Sequence, residues 1–335
     1  MRPPDRSGFC LHGAQVVVNR LPSTTLAFAP ASPKPAKASL RIWLGGLAFG
    51  NHYGALDRTK AIQTIRFALD AGITWFDTSP AYGDGLAEEI LGEASRDAGD
   101  TVCVSTKIWN PDQLNPRESI VRSLGQSLAR LKRNHVDLCY LQCDGHRSDI
   151  PALIETMTLL RSSGVIRAIG LCTASPPVLN SAIGQARVDA VQAPYNILER
   201  SVERSMLPLC EISQASFHAC EPFCSGLLLG HLHKNSVFER GDLRIEDRRF
   251  RGERFRRTVE IVNRLQVFAS QERLTMLQLA LGWVLQHPLV STAICGARSP
   301  QQIRETVAAS ATRLTPEQIL ELDLIVGEDS LRPDR

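Results

Sequence analysis

From residue 40 onward, apolar and polar positions follow two periods that take turns. Short, compact apolar runs rich in branched and aromatic residues read as strands, among them "LRIWLGG", "ITWFDT", "TVCVSTK", "VDLCYLQ" and "IRAIGLC". Between them stand longer stretches whose apolar residues recur every three or four positions, as in "RTKAIQTIRFALDAG", "GLAEEILGEASRDAG", "PRESIVRSLGQSLARLK" and "IPALIETMTLLRSSG". These read as helices with one buried face. The alternation continues through "PPVLNSAIGQA", "VDAVQAPY", "RSMLPLCEIS" and "ASFHACEP". A long segment with two helices follows, then "VSTAICG" and "PQQIRETVAAS". Eight strands, each followed by helix, predict an α/β protein built as a closed (β/α)8 TIM barrel. An open doubly wound sheet would carry a glycine-rich fingerprint after its first strand, and "GGLAFG" does not match it. The barrel is expected over residues 40–327, with an extension at 1–39 and a tail at 328–335.

Chemistry in such a barrel gathers at the carboxyl ends of the strands. That rule selects Asp77 to Tyr82, Lys107, Gln142, Cys172, Gln192, the stretch from Cys220, and Gly296. Asp, Lys and Tyr make chemical sense as a set. An ammonium lowers the phenol pKa and makes it a better proton donor near neutrality, and the carboxylate keeps the lysine charged and in place.

Charge and composition narrow the partners. With 38 basic and 35 acidic residues the net charge is +3, which offers no field for nucleic acid or a membrane surface. The basic stretch Arg244 to Arg257 is interleaved with Glu246, Asp247 and Glu253 and reads as a solvated face. No run approaches the roughly 18 apolar residues of a membrane span. Nine cysteines, an odd number without a repeating framework, fit a reduced compartment such as the cytoplasm. The first 39 residues hold one acid, Asp5, and the linker-like "APASPKPAK". They read as a partly disordered tail or hairpin, although Arg2, Arg6 and Arg20 loosely fit an organelle-targeting segment.

"FDTSPAYGDGLAEEILG", "STK" and "VQAPYNILER" closely resemble the aldo-keto reductase superfamily, over residues 40 to 325. The resemblance implies an NAD(P)H-dependent (β/α)8 reductase. Its Asp, Tyr and Lys map onto Asp77, Tyr82 and Lys107, with Tyr82 the general acid for carbonyl reduction. The family's fourth residue, a His ending strand four in a pattern like "VDLYLIH", corresponds to Gln142 in "VDLCYLQ". A glutamine amide donates a hydrogen bond to a carbonyl oxygen but cannot carry a proton. His146, four residues on, is a conceivable substitute donor, though a loop histidine is more often solvated.

The same resemblance implies a cofactor site. Cys172 and Thr173 replace the Ser-Asn pair that holds the nicotinamide amide, Gln192 is retained, and Cys220 and Glu221 replace a Tyr-Ser pair that includes the ring-stacking aromatic. Gly46 and Leu47 border the cofactor after the first strand. In "SGLLLG", Gly226, Leu228 and Gly230 offer backbone N–H groups to a pyrophosphate. In "CGARSPQQIRETV", Gly296, Arg298, Gln302, Glu305 and Thr306 form the adenosine phosphate end, and Arg298 suits a 2′-phosphate, hence NADPH (NADP). The expected partner is a small-molecule carbonyl substrate, an aldehyde, ketone or sugar-like compound. Two other functions fit the changed positions 142, 172 and 220: an NADPH-sensing binding protein with vestigial reduction, and isomerase- or lyase-type chemistry on a specialised metabolite. Cys143, Cys172, Cys220, Cys224 and Cys295 are expected near the barrel mouth with His218. Without a C-x-x-C pair they read as small thiols filling space and not as a metal site.

Overall fold

In the computed structural model, which describes residues 40–109, 111, 115–142 and 149–327, eight parallel strands close into a barrel. They are β1 (Ile42–Gly45), β2 (Trp75–Asp77), β3 (Cys103–Trp109), β4 (Leu138–Gln142), β5 (Ile169–Cys172), β6 (Ala190–Pro194), β7 (Ser216–Cys220) and β8 (Val290–Gly296). Each pairs with the next, and β8 returns to β1 with Leu44 opposite Cys295. The extension at 1–39, the tail at 328–335, Cys143 and His146 lie outside the described residues.

The outer ring begins with α1 (Arg58–Asp70), α2 (Leu86–Ala94), α3 (Pro116–Leu131), α4 (Ile150–Ser162) and α5 (Pro176–Ile183). It continues with α6 (Val202–Ser205), α7 (Leu207–Ser213), α8 (Gly252–Gln271), α9 (Met276–Gln286), α10 (Pro300–Ala309) and α11 (Pro316–Val326). Two of these depart from the sequence pattern. "RSMLPLCEIS" is not one helix but two, α6 and α7, because Pro208 in the first turn of α7 lacks the N–H that a continuing helix needs. The segment α11 is absent from the predicted series, although Thr315 and Gln318 form a reciprocal cap around Pro316, a signal readable beforehand. Among the described residues no helix is long and apolar enough to cross a membrane.

Period two sorts the strand residues into two cores. Cys139 and Leu141 of β4 pack outward under the helices, whereas Leu138 and Tyr140 point into the barrel with Trp43, Cys172, Ala190 and Ile294. Branched aliphatic residues usually fill such an interior. Here Trp43 and Trp75 stack at 4.3 Å, and Trp43 meets His218 edge-on at 4.4 Å.

Behind the catalytic ends, Glu88 of α2 is fully buried and accepts from Thr106 Oγ1 of β3 and Arg130 Nε of α3, both at 2.7 Å. Those bonds satisfy a carboxylate that would otherwise be costly to bury, and they lock α2, the helix that follows Tyr82, against β3.

Candidate active site

Asp77 ends β2 and Lys107 lies on the inward face of β3, both nearly excluded from solvent. Lys107 Nζ lies 2.6 Å from Asp77 Oδ2 and donates to the Thr78 carbonyl at 3.0 Å. Asp77 Oδ1 accepts from Ser105 Oγ at 2.8 Å and from Gln192 Nε2 at 3.0 Å. The carboxylate is thus bonded through both oxygens, as a buried charge requires.

Tyr82 reaches the pair from a turn in which its N–H donates to the Ser79 carbonyl. Gly83 has φ +62°, and its N–H donates to His52 Nε2 at 3.2 Å. A Cβ on Gly50 would lie 2.5 Å from the Tyr82 carbonyl carbon, so the glycine lets the two loops touch. The Tyr82 ring sits 5.1 Å from Lys107 Nζ, within cation–π range. Burial alone would lower the Lys107 pKa, but the charge and hydrogen bond of Asp77, together with smaller contributions from its other neighbours, hold the ammonium above its ordinary value. The Tyr82 phenol is pushed up by burial more than Lys107 pulls it down. The expected approach to neutrality is therefore not met. Tyr82 keeps its proton throughout the neutral range, which suits a proton donor.

These groups form one end of a cleft of about 500 Å³. Gln142, Cys172, Thr173, Gln192 and Cys220 line it beside Asp77, Tyr82 and Lys107, and Leu47 lines the β1 side. At the far end stand Glu221, Gly226, Gly296, Arg298 and Gln302. A side chain on Gly296 would meet nothing within 4 Å, so the wall is open there. Thr173, Glu221 and Ser225 all line the cleft with left-handed backbone, a conformation costly for residues with a Cβ and concentrated at functional sites.

Other predicted cofactor contacts stand elsewhere. Gly46 is not on the cleft wall; a Cβ there would lie 3.1 Å from the Asp77 carbonyl oxygen, so it serves the close approach of β1 and β2. Leu228 and Gly230 do not line the cleft. The N–H groups of Gly226, Leu228 and Gly230 already donate to Phe223 or Leu227 carbonyls, because residues 224–229 wind into a tight turn. Thr306 Oγ1 donates to the Gln302 carbonyl within α10, and Glu305 accepts from Gln301. Arg298 donates to the carbonyls of Tyr53, Gly54 and Ala55 across the cleft. Cys224 is buried near Arg249, and Cys295 faces the outer core, so neither reaches the mouth. No group of three or more His, Cys, Asp or Glu among the described residues could hold a metal ion.

Several lining residues escaped the sequence reading: Tyr53, Trp109, Ser225 and Arg244. Trp109 was findable, since it lies two residues beyond Lys107 on the same face of β3. Arg244 was not. It pairs through two bonds with Asp242 and packs 4.4 Å from the Phe238 ring centroid, contacts made within an irregular loop.

Residues 41–326, which carry all of these side chains, match the Aldo/keto reductase family. The chain belongs to that family. The aldo/keto reductase barrel here is 34% identical over 296 residues to "Aldo-keto reductase YhdN" of Bacillus subtilis (strain 168), covering 85% of this chain and 89% of that one. It is 30% identical over 293 residues to the "NADH-specific methylglyoxal reductase" of Escherichia coli (strain K12), covering 80% and 89%. Among solved structures it superposes with TM-score 0.77 on the glycerol dehydrogenase AKR11B4 from Gluconobacter oxydans, at 28% identity over 88% of this chain and 94% of that one. An aldo-keto reductase from Klebsiella pneumoniae, solved in complex with NADPH, follows with TM-score 0.69 and 26% identity, covering 88% and 94%.

Below the aldo/keto reductase site, burial depresses the His218 pKa from its usual 6.5 to about 3. The unfolded chain then binds a proton at this residue that the folded chain refuses, so stability is present above about pH 6.5 and falls as pH drops toward 3. His218→Asn is expected to flatten that acid limb, where this residue contributes about 1.4 kcal/mol per pH unit. Thermal unfolding between pH 7 and 5 checks this, and parallel curves for the two proteins would refute it.

Proposed function

We propose that this protein is an NADPH-dependent oxidoreductase that reduces the carbonyl of a small aldehyde, ketone or sugar-like substrate. The observation that carries the reading is a proton-bearing phenol, Tyr82, set beside a buried ammonium–carboxylate pair at the wall of a cleft that continues to Arg298 and Gln302. The residues present fit a nicotinamide dinucleotide: a buried amide, Gln192, at the reacting end, and open room at Gly296 with the Arg298 guanidinium at the other. When bound, the cofactor would supply a hydride to the carbonyl carbon.

The side chains supply the rest. Tyr82 gives its proton to the carbonyl oxygen, and Lys107 stabilises the phenolate left behind. Asp77 holds Lys107 charged and aimed. Gln142 donates an amide hydrogen bond that orients the carbonyl and stabilises charge developing on its oxygen. Run in reverse, the same groups oxidise an alcohol.

Arg298 supports NADPH over NADH. Its present partners are neutral backbone carbonyls, and a 2′-phosphate would replace them with a charge-assisted pair. A relative is named NADH-specific, so the choice is tested directly by fluorescence titration with both cofactors. Tighter binding of NADPH is expected, and binding of neither would overturn the proposal. A panel of small carbonyls then reads activity.

Gln142→Ala removes the orienting donor. It is expected to lower kcat/KM for carbonyl reduction by about 10²- to 10³-fold, the range for loss of one oxyanion donor. Unchanged kinetics in this variant would show that Gln142 does not touch the carbonyl.

A further inference from the structure

We propose that Tyr140 and His218, a hydrogen-bonded pair in the barrel floor, are positioning residues that fix the Gln192 amide and the underside of the Lys107 ammonium. The proposal rests on the reductase reading of the site above them. It concerns two residues that do not themselves line the cleft.

Both polar side chains occupy inward positions where aliphatic packing would serve stability. Tyr140 is fully buried and His218 is 5% exposed. Burying such groups is unfavourable unless they are bonded, and these two bond each other: Tyr140 Oη lies 2.5 Å from His218 Nδ1. The barrel makes space for the tyrosine. Gly170 of β5 stands directly beside it in register, and a Cβ there would lie 2.4 Å from Tyr140 Cδ1. The ring therefore fits because the neighbouring strand has no side chain at that level.

The pair is continuous with the catalytic set. Tyr140 presents its ring 5.8 Å from Lys107 Nζ, so the ammonium is contacted by two aromatic rings, Tyr140 and Tyr82. Tyr140 stands opposite Lys107 across β3 and β4, and His218 stands opposite Gln192 across β6 and β7, so the pair lies beside both groups. Gln192 in turn donates to Asp77 Oδ1 at 3.0 Å and accepts from Cys172 Sγ at 3.1 Å.

Direction is the point of this chain. His218 is neutral, so Nδ1 can accept the Tyr140 proton, which leaves the lone pairs of the phenol oxygen to favour the N–H edge of the neighbouring Gln192 amide. The glutamine amide is then committed to one face. Its Nε2 serves Asp77, and its oxygen serves Cys172. An inverted amide would set its oxygen against the Asp77 carboxylate. Without the acceptor at His218 the phenol can turn, and the amide loses the partner that holds it.

Tyr140→Phe, His218→Leu and their double variant test the idea, with His218→Asn as the conservative rescue because its Oδ1 can accept the same hydrogen bond. The readouts are the NADPH dissociation constant by fluorescence titration, kcat on a carbonyl turned over by the wild type, and thermal unfolding. Each single change is expected to weaken NADPH binding and to lower kcat about tenfold, as small misplacements of catalytic groups do. The double variant should lose no more than either single one, and His218→Asn should recover most of both losses. Unchanged affinity and kcat beside a lowered unfolding temperature would reduce the pair to core packing. Fully additive losses, or a His218→Asn variant no better than His218→Leu, would equally overturn the proposal. A wild-type chain that binds NADPH without turnover would sink the reductase reading alone, since the affinity measurements would still decide the role of the pair.

Discussion

Tyr82→Phe is expected to lower kcat for carbonyl reduction by about 10²- to 10⁴-fold, the range spanned by loss of a positioned general acid. NADPH affinity should stay near the wild-type value, because the substitution keeps the ring and deletes one oxygen. The ring is what packs edge-on against His52, at 6.1 Å between centroids, and over Lys107. Its backbone is held independently by Ser79 and by the contact of Gly83 with Gly50. The two readouts therefore separate: chemistry should vanish while binding persists. Full activity in Tyr82→Phe would mean that another group supplies the proton, and the mechanism proposed here would be wrong.

Lys107→Met should damage both activity and stability. The lysine is 2% exposed and its ammonium neutralises a carboxylate that is almost equally hidden. Removing one member of such a pair leaves the other charge buried without a counter-ion, which costs about 3–5 kcal/mol. Ser105 and Gln192 still donate to Asp77, which favours the lower end of that range. The double change Asp77→Asn with Lys107→Met should recover much of the lost stability, since no charge is then left unpaired, yet it should remain inactive. Denaturant unfolding of the three proteins checks the sign. If the double variant is less stable than Lys107→Met, the burial argument fails.

The sites that resisted sequence reading did so for identifiable reasons. Asp77, Tyr82 and Lys107 were legible together because their places at strand ends follow from period and order alone. Gln142 was legible as a strand end from the same pattern, while its reading as a replaced histidine rests on the family resemblance alone. In "SGLLLG" the glycines pointed to a phosphate cradle, but left-handed Ser225 and Gly226 wind the loop so that its N–H groups bond inward. A glycine pattern shows that unusual backbone is possible, not which way the amides face. Arg298 was legible as a cation beside a helix start, while its bonds to residues 53–55 join segments more than 240 positions apart. Cys295 was misjudged by one residue of strand register, which turns a side chain from the mouth to the outer core.

The sequence by itself determined the barrel, its strand order and the family, and it singled out Asp77, Tyr82 and Lys107 as candidates, because each depends on local periodicity or on a motif confined to one stretch. Only the tertiary structure decided the direction of the Tyr82 shift, since burial and the Lys107 charge oppose each other and their balance depends on packing from every side. It also decided the pairing of Tyr140 with His218. Those residues lie 78 positions apart on strands that are not neighbours, and they meet because closing the barrel turns β4 and β7 toward a common axis. Side-chain contacts across a closed barrel follow from its curvature and register, and no window of sequence contains either.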